Sequence, residues 1–135
     1  MALQLGTTCR NNRLSAISTL VDASTGGTLK IFSGSEPANC AASDPSGTLV
    51  TITLPNTAFA AAGSGSMSMT GTWSASAGGT GTAASFRIYD STGTCHLQGS
   101  VTATGGGGDL TLDNASIATS QTVTVTSFTL TDANS

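Results

Sequence analysis

The residues best suited to chemistry lie together in "FRIYDSTGTCHLQGS" (86–100), which holds the chain's one His, His96, beside Cys95 and downstream of Asp90. Cys, His and Asp are the parts of a nucleophile, its base and an orienting group, and Cys with His is the start of a zinc site. The spacing speaks against both. Neighbours on a strand point to opposite faces, so Cys95 and His96 cannot converge on one atom. A zinc site also needs further ligands at set spacing, and the three cysteines, Cys9, Cys40 and Cys95, form no C-x-x-C pair. The stretch reads instead as a hairpin. Asp90-Ser91-Thr92-Gly93 has Asp first and Gly fourth, as a type I turn favours, between two runs of period two. In that reading Cys95 is a small core residue, and His96 is a polar residue facing solvent or an interface.

Other candidates carry as little chemistry. Asp109 and Asp113 resemble paired carboxylates, but they flank Leu110 and Leu112 near a turn and read as a solvated edge. Trp73 is a platform for a sugar or a core residue, and its phase with Met67 and Met69 favours the core. "SASAGGTGTA" (74–83) and "TGGGG" (104–108) are expected to be flexible tips, because no helix follows to make a phosphate cradle. No catalytic, cofactor or metal residues are expected, and no enzyme.

The elements that must position these residues are announced by composition. The 135 residues include 24 Thr, 19 Ser and 17 Gly, with 8% charged and 4% aromatic. That length suits one domain with a real core. Thr interleaved with Val, Ile and Leu suits a half-buried pleated surface, so an all-β domain is expected. The net charge is −3, and Arg10, Arg13 and Lys30 make the first quarter locally basic. No Lys/Arg cluster is dense enough to track phosphates, so nucleic acid is not an expected partner. No apolar run suits a membrane span, and "MALQLGTTCRNNR" lacks the pattern of a secretory signal. Synthesis in a cytoplasm is therefore expected, with free thiols. A Cys40–Cys95 bridge is the alternative if the protein spends its life outside cells.

Along the chain, one helix is predicted in "TTCRNNRLSAISTLVDASTGG". Leu14, Ile17, Leu20 and Val21 recur at threes and fours, Thr7 or Thr8 serves as N-cap, and Gly26-Gly27 ends the pattern. Its narrow apolar stripe must lie on its own domain or a partner, and the segment is expected to order mainly against a partner. Arg10 and Arg13 are either solvated helix charges or anchors on an acidic surface. The period then becomes two. Strands are expected in "TLKIFS" (28–33), "LVTITLP" (49–55), "MSMTGTW" (67–73), "ASFRIYD" (84–90), "CHLQGSVTA" (95–103), "DLTLDNASI" (109–117) and "TVTVTSFTL" (122–130). In the last, a β-bulge near Thr126 or Ser127 reconciles two apolar phases. Val50, Ile52, Leu54, Trp73, Phe86, Ile88, Leu97, Val101, Val125 and Phe128 form the predicted core, with Arg87 and Tyr89 facing outward. The expected fold is a jelly-roll-like antiparallel β-sandwich (27–135) preceded by an N-terminal arm or helix (1–26).

"MALQLGTTCRNNRL", "IFSGSEPANCAA", "GTLVTITLP", "GTW", "FRIYDSTGTCHLQG" and "FTLTDANS" resemble a group of short proteins encoded beside capsid genes in tailed bacteriophages and prophages. The resemblance runs over nearly the whole chain and implies a virion-associated role. By fold-level analogy it implies a cement (decoration) protein on the capsid surface, binding the major capsid protein and copies of itself as a dimer or trimer. Arg10, Arg13, Leu14, Ile17, Arg87, Tyr89 and His96 are the residues expected at such an interface. The competing expectation is a receptor- or glycan-binding module of a tail or head fibre, with Trp73 or Tyr89 as platform.

Overall fold

The computed structural model describes residues 3–22 and 26–133. Positions 1–2 and 23–25 of the predicted arm and 134–135 of the closing segment lie outside the described residues.

Helix α1 spans Thr7–Val21, with extended Gly6 as N-cap and no side-chain cap. Thr7 and Thr8 fall inside the first turn, so the cap is Gly6 and neither of the predicted threonines. A helix of this length is marginal alone and takes its stability from packing. Leu14 and Val21 are buried, Ile17 packs partly against the core, and Leu20 stays 48% exposed. Polar bonds fix the same face. Asn11 Oδ1 accepts the Gly65 N–H at 2.8 Å, and Asp22 Oδ1 accepts the Ala58 N–H at 2.8 Å. The helix is thus a lid on the chain's own β-structure, whereas the sequence suggested a segment ordering mainly against a partner.

The strands are β1 (Thr28–Phe32), β2 (Thr48–Thr53), β3 (Ser66–Ser68), β4 (Trp73–Ser76), β5 (Gly81–Thr82), β6 (Ser85–Tyr89), β7 (Cys95–Ala103), β8 (Leu110–Leu112), β9 (Ser116–Ile117), β10 (Thr122–Val125) and β11 (Thr129–Thr131). One five-stranded sheet has the order β2-β1-β6-β7-β8, and three ribbons pair β4 with β10, β3 with β11, and β5 with β9. The fold is all-β and sandwich-like, as the composition and period predicted. All pairs are antiparallel except β7 and β8, which run parallel from Val101 opposite Leu110.

Several predicted strands are divided. "MSMTGTW" breaks at Gly71, whose φ of +70° suits a turn, so β3 and β4 join different ribbons. The phase slip in "TVTVTSFTL" is not a bulge. The chain leaves β4, where Val125 faces Trp73, and joins β3, where Thr129 faces Ser68. The supposed flexible tip 74–83 carries β4 and β5, and the N–H groups of Gly78 and Gly79 donate to Leu49 O at 2.9 and 3.1 Å.

The core lies between the sheet and the ribbons. Every predicted core residue is buried except Leu97, which is partly so. Phe128 sits 5.6 Å from Phe86, 5.7 Å from Trp73 and 6.2 Å from Phe59, ring centre to ring centre. These tilted and edge-on contacts add to the burial of each ring. Phe86 also covers Gly99 across the strand pair, where an added Cβ would come within 2.7 Å of its ring.

Candidate functional site

The densest polar cluster lies on the face of β6 turned away from the core, beneath the loop 33–47. Arg87 is 2% exposed, so the sequence expectation of an outward, interface-forming arginine is overturned. A buried guanidinium must spend its donors, and the loop supplies acceptors. Nη1 donates to Ala42 O at 2.9 Å and to Asp44 Oδ1 at 3.0 Å, while Nη2 donates to Asn39 O at 2.9 Å and Gln98 Oε1 at 3.1 Å. Tyr89, 5% exposed, is likewise no surface residue; its hydroxyl donates to Asp44 Oδ1 at 2.6 Å. Lys30 closes the group, 3.4 Å from Asp44 Oδ2 and 4.8 Å above the Tyr89 ring centre. Burial raises the Tyr89 pKa, and the Asp44 carboxylate beside it raises it further. For Asp44, burial pulls upward, but bonds from Tyr89, Arg87 and Lys30 outweigh it and hold the carboxyl below its ordinary value.

Cys40 and Cys95 are joined by a disulfide, with Cα atoms 5.4 Å apart, which corrects the free-thiol expectation for both. Strict alternation had placed Cys95 in the core. The register shifts instead between Ile88 and Tyr89, pairing Ile88 with Leu97 and Tyr89 with Cys95. His96 is the extra residue of that bulge. The phase change brings Cys95 to the side of Arg87, Tyr89 and Gln98, facing the loop. Gln98 adds a further tie, its Nε2 donating to Pro37 O at 2.6 Å.

His96 belongs to the hairpin turn. Its Nε2 lies 2.8 Å from Asp90 Oδ2, while Asp90 Oδ1 accepts from Thr92 N, Thr92 Oγ1 and Thr94 N at 2.9, 2.7 and 3.0 Å. The Thr92 hydroxyl, then His96, hold the Asp90 carboxyl far below the usual range. The predicted turn is present, with Gly93 N–H donating to Asp90 O at 3.1 Å and Gly93 at φ +89°. Asp109 is bound to Ser100, whose backbone N–H and hydroxyl both reach Oδ2 at 2.9 Å and lower its pKa. Asp113 stands past the end of β8 and is exposed.

Arg10 and Arg13 converge on one residue of the same chain. Arg10 Nη1 donates to Asp132 O at 3.0 Å, and Arg13 Nε lies 3.3 Å from Asp132 Oδ2. All four cations are therefore engaged internally, Lys30 and Arg87 with Asp44. The aromatic inventory is also internal. All four Phe, Trp73 and Tyr89 are buried, so neither Trp73 nor Tyr89 is a stacking platform. The ribbons instead present hydroxyls, with Ser74 to Thr124 at 2.9 Å, Ser68 to Thr129 at 3.3 Å and Thr80 to Thr119 at 3.0 Å.

Of the residues expected at an interface, the structure joins Arg10 with Arg13 and Arg87 with Tyr89, sets Leu14 and Ile17 beside Leu97 and Leu130, and leaves His96 with Asp90. Sequence reasoning missed Asn39, Asp44 and Gln98. A signal was present in "PANCAASD", where Asn39 Oδ1 accepts the N–H groups of Ala41 and Ala42 at 2.9 and 3.1 Å, the local turn Asn favours. Among the described residues, no group of three or more His, Cys, Asp or Glu could hold a metal ion, and no helix is long and apolar enough to cross a membrane. No known protein family, curated protein or solved structure matches the chain.

Proposed function

We propose that the chain is a structural protein of a tailed-phage virion, a cement protein that binds the outer shell of the major capsid protein, and not an enzyme. One observation carries the reading: the aromatic side chains are buried and the four Lys and Arg are paired within the chain, leaving an exterior rich in Thr and Ser hydroxyls on a cross-linked body. Such a surface makes many hydrogen bonds to a shell without the desolvation cost of burying charges. Repeated copies on a lattice share the work, so each contact is modest. The sequence resemblance to proteins encoded beside capsid genes points the same way. The fibre-module reading loses its aromatic platforms, because Trp73 and Tyr89 are buried.

The experiment is cryo-EM of virions, with and without the protein, and re-addition of purified protein to bare capsids. Density on the icosahedral lattice is expected, with binding nearly independent of salt because Arg10 and Arg13 are already paired. Density at the tail alone, or no binding to capsids, would overturn the proposal.

A further inference from the structure

Two cations face each other across the sheet. Lys30 on β1 and Arg87 on β6 are direct partners in the strand register, a placement in which like charges repel. Asp44 relieves the repulsion. Its Oδ1 accepts from Arg87 Nη1 at 3.0 Å and from the Tyr89 hydroxyl at 2.6 Å, and its Oδ2 lies 3.4 Å from Lys30 Nζ. The three donors stand on adjacent strands of the five-stranded sheet, whereas the carboxylate comes from the loop 33–47. Strand pairing fixes the backbone that carries the donors. The acceptor is in place only because the loop is.

The sheet holds this loop as it would hold a peptide ligand. None of residues 35–46 is buried, so no side chain of the segment anchors it in the core. Arg87 instead takes two of its carbonyls, Asn39 O and Ala42 O, each at 2.9 Å, and Gln98 Nε2 takes a third, Pro37 O, at 2.6 Å. Backbone carbonyls with one carboxylate are what any acidic peptide offers, and the planar guanidinium fork suits both. The one covalent tie is the Cys40–Cys95 disulfide to β7. It makes the loop an intramolecular ligand at high effective concentration.

We propose that Lys30, Arg87, Tyr89 and Gln98 form a receptor for an acidic peptide segment. The chain's own Asp44 loop fills it while Cys40 and Cys95 are bridged, and reduction of the bridge opens it to a partner. A dithiol reductant passes two electrons and two protons to the bridge, leaving Cys40 and Cys95 as thiols and becoming a disulfide itself. The loop then keeps only polar bonds, whose net worth is small because water or another peptide can replace them. Asp44 is exposed, so a competing carboxylate can approach from solvent. This inference does not rest on the capsid reading.

The test uses the full chain in two arms. In the first, Asp44→Ala empties the site, and formate, a carboxylate small enough to replace the lost group, should raise the melting temperature of the variant saturably. Sodium chloride at equal ionic strength should not, and adding Lys30→Met should weaken the formate effect at least about tenfold. In the second arm, the probe is a synthetic peptide of residues 35–46 carrying Cys40→Ser, titrated into the wild type by NMR. The dithiol-reduced protein should bind it at least about tenfold more tightly than the oxidised protein, and the same peptide with Asp44→Ala should bind weakly to both. Formate acting no better than chloride, indifference to Lys30→Met, or equal peptide binding in the two redox states would each overturn the proposal. The second arm needs no substitution in the protein, so it decides the matter even if Asp44→Ala fails to fold.

Discussion

Arg87 and Tyr89, two residues apart on β6, end on the same oxygen, Asp44 Oδ1, at 3.0 and 2.6 Å. The loop 33–47 is thus held to the sheet by its own carbonyls and one carboxylate, and Arg87 is the member that cannot be replaced cheaply. Arg87→Leu strands the Asn39 and Ala42 carbonyls along with Asp44, and should cost about 3 kcal/mol in denaturant unfolding. Tyr89→Phe should cost about 1 kcal/mol, since one hydroxyl bond is lost. Asp44→Asn should fall below Arg87→Leu, because the Asp44 side chain is 41% exposed and water takes up its role.

The Cys40–Cys95 bridge spans 55 residues. Closing a loop of that length removes denatured-state entropy worth about 4 kcal/mol in the chain-entropy picture. Cys40→Ser with Cys95→Ser, or added reductant, should lower the melting temperature. Hydrogen exchange should show the loss first in residues 33–47, while the core strands remain protected. An unchanged melting temperature would show that the bridge contributes nothing in solution.

Leu14 and Leu20 lie on different sides of one helix, 4% and 48% exposed. Leu14→Ala should cost about 2–4 kcal/mol, the usual range for an emptied core site. Leu20→Ala should change stability by under about 0.5 kcal/mol, as surface substitutions do. Deleting residues 1–22 should destabilise the β-domain, since the ring of contacts at Leu14 and Val21 would be opened to water. Thermal unfolding of the three proteins checks this order.

Acid should act through three carboxylates whose pKa values folding lowers: Asp44, Asp90 and Asp109. A depressed folded pKa means that the unfolded chain binds more protons as pH falls, so their contribution is complete above the unfolded value of about 3.9. It is lost progressively below that pH. Denaturant midpoints measured from pH 5 down to pH 2 should decline in the wild type. The decline should be shallower in Asp109→Asn, whose starting stability is lower because the two Ser100 bonds are weakened.

Much of this fold is written in local pattern. The period-two runs of β1, β2, β6 and β7, the helical spacing of Leu14, Ile17 and Val21, and the Asp90–Gly93 turn each follow from a few consecutive residues. Alternation and propensity act at that range, so the all-β class and nearly the whole core could be read without a structure. What tertiary structure decided lies where distant segments compete for one strand. Period two makes Arg87 and Tyr89 look exposed, because alternation reports two faces and cannot say that loop 33–47 covers the second. The bulge at His96 moves Cys95 across the sheet, and an inserted residue leaves no mark in composition. The switch of partners at Thr126-Ser127 likewise looks like a slip in phase until β3 and β4 are seen to belong to different ribbons. Each turns on hydrogen bonds and contacts between residues far apart in the chain, formed only when loop-closure entropy has been met, and no local window contains them.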